Sequence, residues 1–403
     1  MIVAGEASGD KHGASLARAL TRLNPEVNYE LFGSGGEEMR AAGVDTLVDA
    51  REVGIIGVPE IARAIGKLYR AYRTLLSAAL ARRPAAVVLI DWPDFNMRLA
   101  RRLHREGFKV IYYISPQVWA WRRYRIRALR RNVDRMLVIL PFEEEFYKRA
   151  GLEVRYVGHP LAEAVHTTSS REEFCRRHGL DPARPILALL PGSRHKEIHY
   201  HLPVMLDAAI RLRIDSHGDE SQISNRQSAI SNPQFVVPLA STVRREDVAA
   251  AIQEAQLEAR GGGEPGQLCV IVIEGDTYNA LGHSEFAVVA SGTATVEAAL
   301  AGTPMVVIYR GSELNWRLIR PLIHLDTFGM VNLIAGRRIV PELMQHDATG
   351  ENIASEAAAI LSDPARLAQM RQDLERIREL LAAKGGSAPE RAAQAVIEVV
   401  REP

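Results

Sequence analysis

The chain alternates short β-branched runs with longer stretches of helical periodicity, and it passes through this alternation in two successive cycles. Helical stretches such as Gly9–Leu23 and Phe95–Arg105 separate the runs. Such alternation is typical of right-handed βαβ units, whose parallel strands are covered by helices on both faces. The predicted strands are Ile2–Ala4, Tyr29–Phe32, Ala86–Ile90, Val110–Ile114, Arg135–Ile139, Val154–Val157, Ile186–Leu190, Phe235–Val237, Cys269–Ile273, Phe286–Ala290 and Met305–Tyr309.

The number of cycles agrees with the length of the chain. At 403 residues it is too long for a single hydrophobic core, so two domains are expected. We therefore predict an α/β protein with two Rossmann-like, doubly wound parallel-sheet domains that face each other across a cleft. The predicted divisions are 1–160, 161–345 and a helical C-terminus, 346–403, which packs on the first domain or on a partner subunit.

Charge is divided unevenly between the two halves. Residues 1–160 carry 26 basic and 18 acidic side chains, a net charge of +8, whereas the remainder carries 24 and 31, a net charge of −7. Residues 58–131 alone hold 17 basic and 4 acidic side chains. One face of the first domain is therefore expected to meet an anionic partner.

Several classes of protein are disfavoured by what the sequence lacks. Cys175 and Cys269 are too few for a disulfide framework or a zinc cluster, and their scarcity favours a reducing cytoplasm. No apolar run approaches the roughly 18–20 residues needed to span a bilayer, and a signal peptide is not evident. We expect a cytoplasmic protein, soluble or peripheral on a membrane, with neither a metal ion nor a cofactor. Two polar segments, Ser216–Pro233 and Gly261–Gly266, are predicted to be surface loops.

Three turns rich in Gly and Ser follow predicted strands, where helix N-termini bind anions in open parallel sheets. They are Gly5–Asp10, Pro191–Arg194 and Ser291–Glu297, and none is a Walker A loop. Each alone is equally explained by tight strand–helix geometry. The two turns in the acidic half favour a nucleoside diphosphate, with Arg194 on phosphate and Glu297 on ribose hydroxyls. The donor-site residues predicted here are Gly192, Ser193, Arg194, Ser291, Gly292, Thr293, Thr295 and Glu297.

Two aspartates follow the predicted strand Ala86–Ile90, at the edge of the sheet where ligands bind. A carboxylate at this position can act as a general base, which is worth roughly 10²–10⁴ in rate. Asp94 can equally cap the helix that follows, so Asp91 is the preferred base.

The segment Ser115–Trp121 contains two of the four tryptophans of the chain. It is followed by Arg122, Arg123, Arg125, Arg127, Arg130 and Arg131. A solvated basic helix with buried tryptophans, a nucleic-acid surface and a site for an anionic small molecule or phospholipid all stay open. The nucleic-acid surface is the least favoured of the three, because no nucleic-acid motif accompanies the arginines, and we predict no nucleic-acid partner. Guanidinium groups suit the phosphate of a small molecule or phospholipid.

The stretch Val58–Leu80 repeats apolar residues at helical spacing and carries basic residues on another face. Such a helix either covers a sheet or lies on a membrane, where each basic residue adds about 1 kcal/mol near anionic lipid. The residues predicted to face the membrane are Val58, Ile61, Arg63, Ile65, Lys67, Leu68 and Arg70.

A series of motifs, in order along nearly the whole chain, points to one family. They are Ala4–Asp10, Asp91–Asn96, Tyr113–Arg122, Leu140–Glu143, Val157–Pro160, Leu190–Arg194, Ala290–Thr295 and Asn332–Gly336. On these motifs the chain resembles the lipid-A-disaccharide synthase family. The family pattern lacks the insertion Ser216–Pro233, which lies outside every motif.

The resemblance implies a glycosyltransferase of GT-B fold. Its expected reaction joins UDP-2,3-diacylglucosamine to 2,3-diacylglucosamine 1-phosphate (lipid X) with inversion, giving UDP and lipid A disaccharide 1-phosphate, at the cytoplasmic face of a Gram-negative inner membrane. It implies Asp91 as catalytic base and Arg194 and Asn332 as donor-site residues. The predicted acceptor-side residues are Gly5, Ser8, Gly9, Asp94, Asn96, Ser115, Trp119 and Arg122.

Two other kinds of function stay open. Another GT-B enzyme that uses a UDP-sugar, either a lipid II-type transferase or an epimerase, would share the turns of the second half. A non-enzymatic peripheral protein that binds anionic lipid would leave Asp91 and the glycine turns without a role. A homodimer formed through the C-terminal helices is a further expectation.

Overall fold

The chain forms two compact units in the computed structural model. The first unit comprises Met1–Pro160 and Leu381–Pro403, and the second comprises Leu161–Leu380. The structure describes residues 1–50, 61–120, 123–215, 232–240, 242–260, 268–313, 316–317, 327–382 and 385–402. Among the helices of this described part, none is long and apolar enough to cross a bilayer.

Strands and helices alternate along both units. The strands are β1 Ile2–Ala4, β2 Phe32–Gly35, β3 Asp45–Asp49, β4 Val87–Ile90, β5 Val110–Tyr113, β6 Arg135–Val138, β7 Val154–Tyr156, β8 Ile186–Leu190, β9 Gln234–Leu239, β10 Val270–Glu274, β11 Phe286–Ala290, β12 Met305–Tyr309 and β13 Glu342–Met344. The helices are α1 Ala7–Leu23, α2 Glu37–Ala41, α3 Ile61–Arg82, α4 Pro93–Arg105, α5 Ile126–Asn132, α6 Pro141–Arg149, α7 Leu161–Ala164, α8 Arg171–His178, α9 His195–Asp215, α10 Arg245–Arg260, α11 Thr277–Gly282, α12 Thr293–Leu300, α13 Met330–Ala335, α14 Gly350–Leu361, α15 Pro364–Leu381 and α16 Ala388–Arg401.

Each unit is built on one parallel sheet. The first sheet has the order β3-β2-β1-β4-β5-β6-β7 and the second the order β10-β9-β8-β11-β12-β13. Neighbouring strands pair in parallel, for example β1 with β4 and β8 with β11. The chain therefore reverses its direction of winding between β1 and β4 and between β8 and β11, and ligands of such sheets bind at the carboxyl ends of the strands beside these reversals. The predicted doubly wound α/β architecture is confirmed.

The sheet of the first unit is buried on both faces. Val87 and Leu89 of β4 join a core formed with helices α3 to α6, whereas Val88 and Ile90 join a core on the opposite face with α1 and α16. This is the pattern expected of parallel strands, whose successive side chains point to opposite sides. The helix α16, at the end of the chain, is thus part of the first unit and packs against α1.

Some elements differ from the sequence prediction. The strand predicted at Tyr29–Phe32 is found at Phe32–Gly35, and the strands β3 and β13 were not predicted. Both unpredicted strands lie at the edges of their sheets and are partly exposed, so they lack the continuous apolar run of a buried strand. Residues 216–231 and 261–267, which cover nearly all of the two predicted loops, lie outside the described residues.

Candidate functional site

The turn that follows β4 has a constrained backbone. Asp91 and Trp92 have φ angles of +46° and +47°, in the left-handed region that residues other than glycine rarely adopt. Such positions cost of order 1–3 kcal/mol each and persist only where the surroundings fix them. The Asp91 carbonyl accepts hydrogen bonds from the Tyr112 hydroxyl at 2.6 Å and from Asn96 Nδ2 at 2.8 Å. These bonds hold Asp91 at the carboxyl edge of the sheet.

Trp92 brings this turn into contact with the turn that follows β1. Its ring stacks on Phe95, with centroids 3.9 Å apart and planes 8° from parallel. A Cβ atom at Gly5 would lie only 2.1 Å from Trp92 Cδ2, so a larger residue at position 5 would displace the ring. Gly5 is therefore needed because the turns after β1 and β4 approach each other closely at the reversal of the first sheet.

The side chain of Asp91 is suited to accept a proton near neutral pH. Burial and, to a smaller extent, the negative charge of Glu6 together raise the pKa of Asp91 from 3.8 to about 6. A carboxylate with this pKa is ionised at pH 7 yet remains a stronger base than an exposed one. Glu6 was not singled out by the sequence prediction, although it lies in the first turn.

Other predicted residues of this edge have structural partners. Asn96 is fully buried, and its Nδ2 donates to Ile90 O at 3.1 Å as well as to the Asp91 carbonyl, which fixes the backbone of Asp91. Gly9 lies close to β1, because a Cβ atom there would be 3.2 Å from the Ala4 Cβ. Ser8 is exposed in the first turn of α1. Asp94 is exposed and forms an ion pair with Arg125.

A buried carboxylate anchors the segment that follows β5. Glu143 Oε1 accepts hydrogen bonds from Ser115 Oγ at 2.5 Å and from Trp119 Nε1 at 3.0 Å. Burial raises the pKa of Glu143 to about 7 despite these bonds. The structure thus uses Ser115 and Trp119 inside the unit, and Glu143 is the partner that the sequence prediction did not name. The predicted acceptor-side residue Arg122 lies outside the described residues.

The helix α3 has one buried face and one exposed face. Leu68 packs against the core that contains Leu75, so this face of the helix covers the sheet. Lys67 and Arg70 are exposed, and Tyr69 between them is 60% exposed. Of the other residues predicted to face the membrane, Val58 and the side chains of Ile61, Arg63 and Ile65 lie outside the described part of the chain.

In the second unit, the turn after β8 is closed by a carboxylate. Gly192 has a φ of +119°, and a Cβ atom there would lie 2.4 Å from Glu197 Oε2. That oxygen accepts hydrogen bonds from the backbone N–H groups of Ser193 at 2.8 Å and Arg194 at 3.2 Å. The Arg194 side chain is 79% exposed, so most of its guanidinium surface is accessible to a ligand.

A buried histidine ties the β8 turn to the end of β12. The N–H of Arg310 donates to His201 Nε2 at 3.0 Å, so the ring proton lies on Nδ1, which donates to Pro191 O at 2.8 Å. Burial lowers the pKa of His201, which agrees with this neutral tautomer. His201 and Glu197 fix the turn that carries Arg194.

The turn after β11 leads into α12. Gly292 has a φ of +151°, and Thr295, which is buried, donates from Oγ1 to Gly292 O at 2.8 Å. Thr293 is exposed at the first position of α12, where the helix dipole presents partial positive charge. Glu297 is half-buried on the same helix and forms a hydrogen bond with Tyr278. Anionic and hydroxyl groups of a ligand are the natural partners of this turn.

Asn332, which the resemblance assigns to the donor site, is fully buried. Its Nδ2 donates to Val340 O at 2.9 Å and to Glu342 Oε1 at 2.7 Å. Its Oδ1 accepts from the N–H groups of Ile339 at 2.8 Å and Val340 at 3.0 Å. All the hydrogen-bonding positions of the amide are used inside the unit, so Asn332 fixes the backbone at Ile339 and Val340 and the carboxylate of Glu342.

The family of this chain follows from its relatives. The model of the lipid-A-disaccharide synthetase family matches residues 1–397. The lipid-A-disaccharide synthase of Koribacter versatilis (strain Ellin345) is 43% identical over 403 residues, which cover 100% of this chain and 98% of that protein. The chain belongs to the lipid-A-disaccharide synthase family. The corresponding protein of Geobacter sulfurreducens is 43% identical over 400 residues, covering 99% of this chain and 97% of that protein.

Membership in this family makes the protein an enzyme, a glycosyltransferase of lipid A biosynthesis. The resemblance noted in the motifs is thus confirmed. Solved structures agree in fold: CalG4, the calicheamicin glycosyltransferase, has a TM-score of 0.56 at 14% identity and covers 99% of this chain and 96% of its own. The UDP-GlcNAc 2-epimerase of Neisseria meningitidis has a TM-score of 0.58 at 11% identity, covering 99% and 98%. The GT-B prediction is therefore confirmed.

Proposed function

We propose that this enzyme transfers the diacylglucosaminyl group of UDP-2,3-diacylglucosamine to the 6-hydroxyl of lipid X. The products are UDP and lipid A disaccharide 1-phosphate, with inversion at the anomeric carbon. The observation that carries the proposal is the constrained turn that holds Asp91, with its pKa raised to about 6, at the reversal of the first sheet. Family membership supports the choice of acylated sugars.

Asp91 is the general base in the proposed reaction. Its carboxylate takes the proton of the acceptor 6-hydroxyl while that oxygen forms a bond to the anomeric carbon of the donor. The bond from the anomeric carbon to the diphosphate oxygen breaks, and its electron pair leaves with UDP. A single displacement of this kind inverts the anomeric centre. General-base catalysis of this type contributes roughly 10²–10⁴ in rate.

The second unit is proposed to hold the donor. Arg194 pairs with the diphosphate, and the N-terminus of α12 at Gly292–Thr295 stabilises the negative charge that builds on departing UDP. Glu297 accepts hydrogen bonds from the ribose hydroxyls. The solved structure of the Neisseria meningitidis epimerase, which shares the fold, is bound to UDP-GlcNAc, and this supports a UDP-sugar as the ligand.

The acylated substrates make contact with a membrane part of the proposal. Withdrawing a chain from lipid into water costs about 0.8 kcal/mol per methylene, so the enzyme works best at the lipid surface. We place Lys67, Arg70 and the neighbouring Tyr69 of α3 against the cytoplasmic leaflet of the inner membrane, because all three are exposed. Lys67→Glu combined with Arg70→Glu should weaken binding to anionic vesicles, and unchanged binding at low salt would refute this contact.

The central experiment is a product assay with both acylated substrates. Incubation with UDP-2,3-diacylglucosamine and lipid X should yield a disaccharide 1-phosphate on thin-layer chromatography and an equal amount of UDP. Omission of lipid X should abolish both. Conversion of the donor to an isomeric UDP-sugar without lipid X would instead identify an epimerase and overturn the proposal.

A further inference from the structure

A carboxylate on the edge strand β13 joins three hydrogen-bond donors beside the β11 turn. Glu342 Oε2 accepts from the Phe328 N–H at 2.9 Å, and Oε1 accepts from the Gly329 N–H at 2.8 Å and from Asn332 Nδ2 at 2.7 Å. Bonds to a charged acceptor are stronger than those between neutral groups. Glu342 therefore fixes the backbone at 328–329 and the amide of Asn332 together.

The same stretch of backbone contacts the predicted diphosphate turn. The Ser291 hydroxyl donates to the Phe328 carbonyl oxygen at 3.0 Å. That carbonyl and the Gly329 N–H belong to one peptide group, which accepts from Ser291 on one side and donates to Glu342 on the other. Hydrogen bonds in such a series polarise and strengthen each other. The position of Ser291 thus depends on a residue from a different strand.

The packing around this peptide leaves little room for adjustment. A Cβ atom at Gly329 would lie 3.1 Å from Glu342 Oε1 and 3.4 Å from Val307 Cγ1 of β12. Gly329 therefore lies between β12 and the carboxylate, and a side chain at this position would crowd both.

We propose that Glu342 is a positioning residue for donor binding. It holds Ser291 and the start of α12 in the geometry that receives the diphosphate, through the Phe328–Gly329 peptide. Asn332 donates a hydrogen bond to the same carboxylate, which explains how a fully buried amide serves the donor site without touching the donor. The inference rests on the proposed function, because it takes the β11 turn as the diphosphate site.

The test compares UDP affinity in the full-length Glu342→Gln variant and in a matched control. Glutamine keeps one acceptor oxygen but presents an amide nitrogen to an N–H group, so one backbone bond is lost and the dissociation constant of UDP should rise about tenfold. The control is Glu285→Gln, since Glu285 Oε2 accepts from the Ile186 N–H at 2.6 Å at the amino end of β8. Both variants should lower the melting temperature, but Glu285→Gln should leave UDP affinity unchanged.

Two further variants separate positioning from general destabilisation. Ser291→Ala should weaken UDP binding, and the double variant with Glu342→Gln should bind UDP no more weakly than the worse single variant, because both act through one peptide. Gly329→Ala, which keeps the carboxylate but crowds it, should weaken binding as well. Multiplicative effects in the double variant, or equal UDP affinity in Glu342→Gln and Glu285→Gln, would overturn the inference. Absence of UDP binding by the unsubstituted enzyme would instead refute the proposed function on which it rests.

Discussion

The carboxyl edges of the two sheets share a topology but differ in their chemistry. In the first unit, Glu6 lies close enough to Asp91 for like-charge repulsion, and burial with that repulsion raises the pKa of Asp91 to about 6. In the second unit, the carboxylate of Glu197 accepts hydrogen bonds from the backbone N–H groups of Ser193 and Arg194 and so shapes the turn that leads from β8 into α9. The reversal of winding sets the place of a site, and under the proposed function the side chains at that place determine whether it accepts a proton or binds an anion.

The largest effect should come from removal of the base at the first edge. Asp91→Asn should lower kcat by roughly 10²–10⁴ while leaving the affinity for UDP unchanged. Because the folded pKa of Asp91 lies above its ordinary value, its ionised form destabilises the fold at neutral pH, so the variant should also melt at a higher temperature at pH 7. Steady-state kinetics, calorimetric titration with UDP and thermal melting measure the three quantities.

The control for that change lies at the opposite edge of the same sheet. Asp134 accepts from the Val110 N–H at 2.7 Å, and Asp134→Asn keeps an acceptor oxygen there, so turnover should be nearly normal. Near-normal turnover in Asp91→Asn would show that Asp91 is not the base. The proposed difference in chemistry between the carboxyl edges of the two sheets would then be lost.

A smaller effect of a different kind is expected at the second edge. Arg194→Gln should raise the KM for the donor about tenfold, because a charge-assisted contact with phosphate is lost, and should leave the acid limb of the pH profile in place. Arg211→Gln is the matched control, since Arg211 lies on α9, the helix that directly follows Arg194, and pairs with Asp207 in an exposed i,i+4 ion pair. A fall in kcat with unchanged KM would contradict the assignment of Arg194 to donor binding.

The smallest effect sharpens the electrostatic side of the comparison. In the proposed mechanism the ionised form of Asp91 is the base, so kcat/KM should fall as the pH drops through about 6. Glu6→Gln removes a negative charge that disfavours ionisation, so this acid limb should move to lower pH, whereas Glu30→Gln at an exposed position should not move it. A pH–rate profile between about pH 4.5 and 8 decides the matter, and a limb that stays in place would show that Glu6 does not act on the base.

The buried strands and the turns after them could be predicted from the sequence because their signals are local. The run at Val87–Ile90 is apolar throughout, and Asp91 directly follows it. The edge strand Glu342–Met344 has no such run, so it and its carboxylate were not predicted. His201 and Glu342 have hydrogen-bond partners that lie far away in the chain or in segments without a recognisable hydrophobic pattern. Arg310, for example, lies 109 positions after His201.

Three residues that the motifs assign to substrate binding also have hydrogen-bond partners inside their own unit. Asn332, Ser115 and Trp119 were predicted to meet substrates, and the structure shows each of them donating a hydrogen bond to a glutamate of its own unit. A sequence motif records that a side chain is needed, but the need of a ligand and the need of a scaffold look alike along the chain. The structure adds the internal hydrogen-bond partners, which a motif does not contain.

The position of α16 in the first unit has a consequence for how the protein folds during synthesis. Ala393 and Val396 of α16 pack in the same core as Ile2 and Val88, on one face of the first sheet. That face therefore stays exposed during synthesis until α16, which follows the whole second unit in sequence, has been made. During translation the second unit is completed before α16 emerges, so until then one apolar face of the first sheet is uncovered. We expect a chain that terminates before α16 to expose this apolar face, to be prone to aggregation and to depend on chaperones.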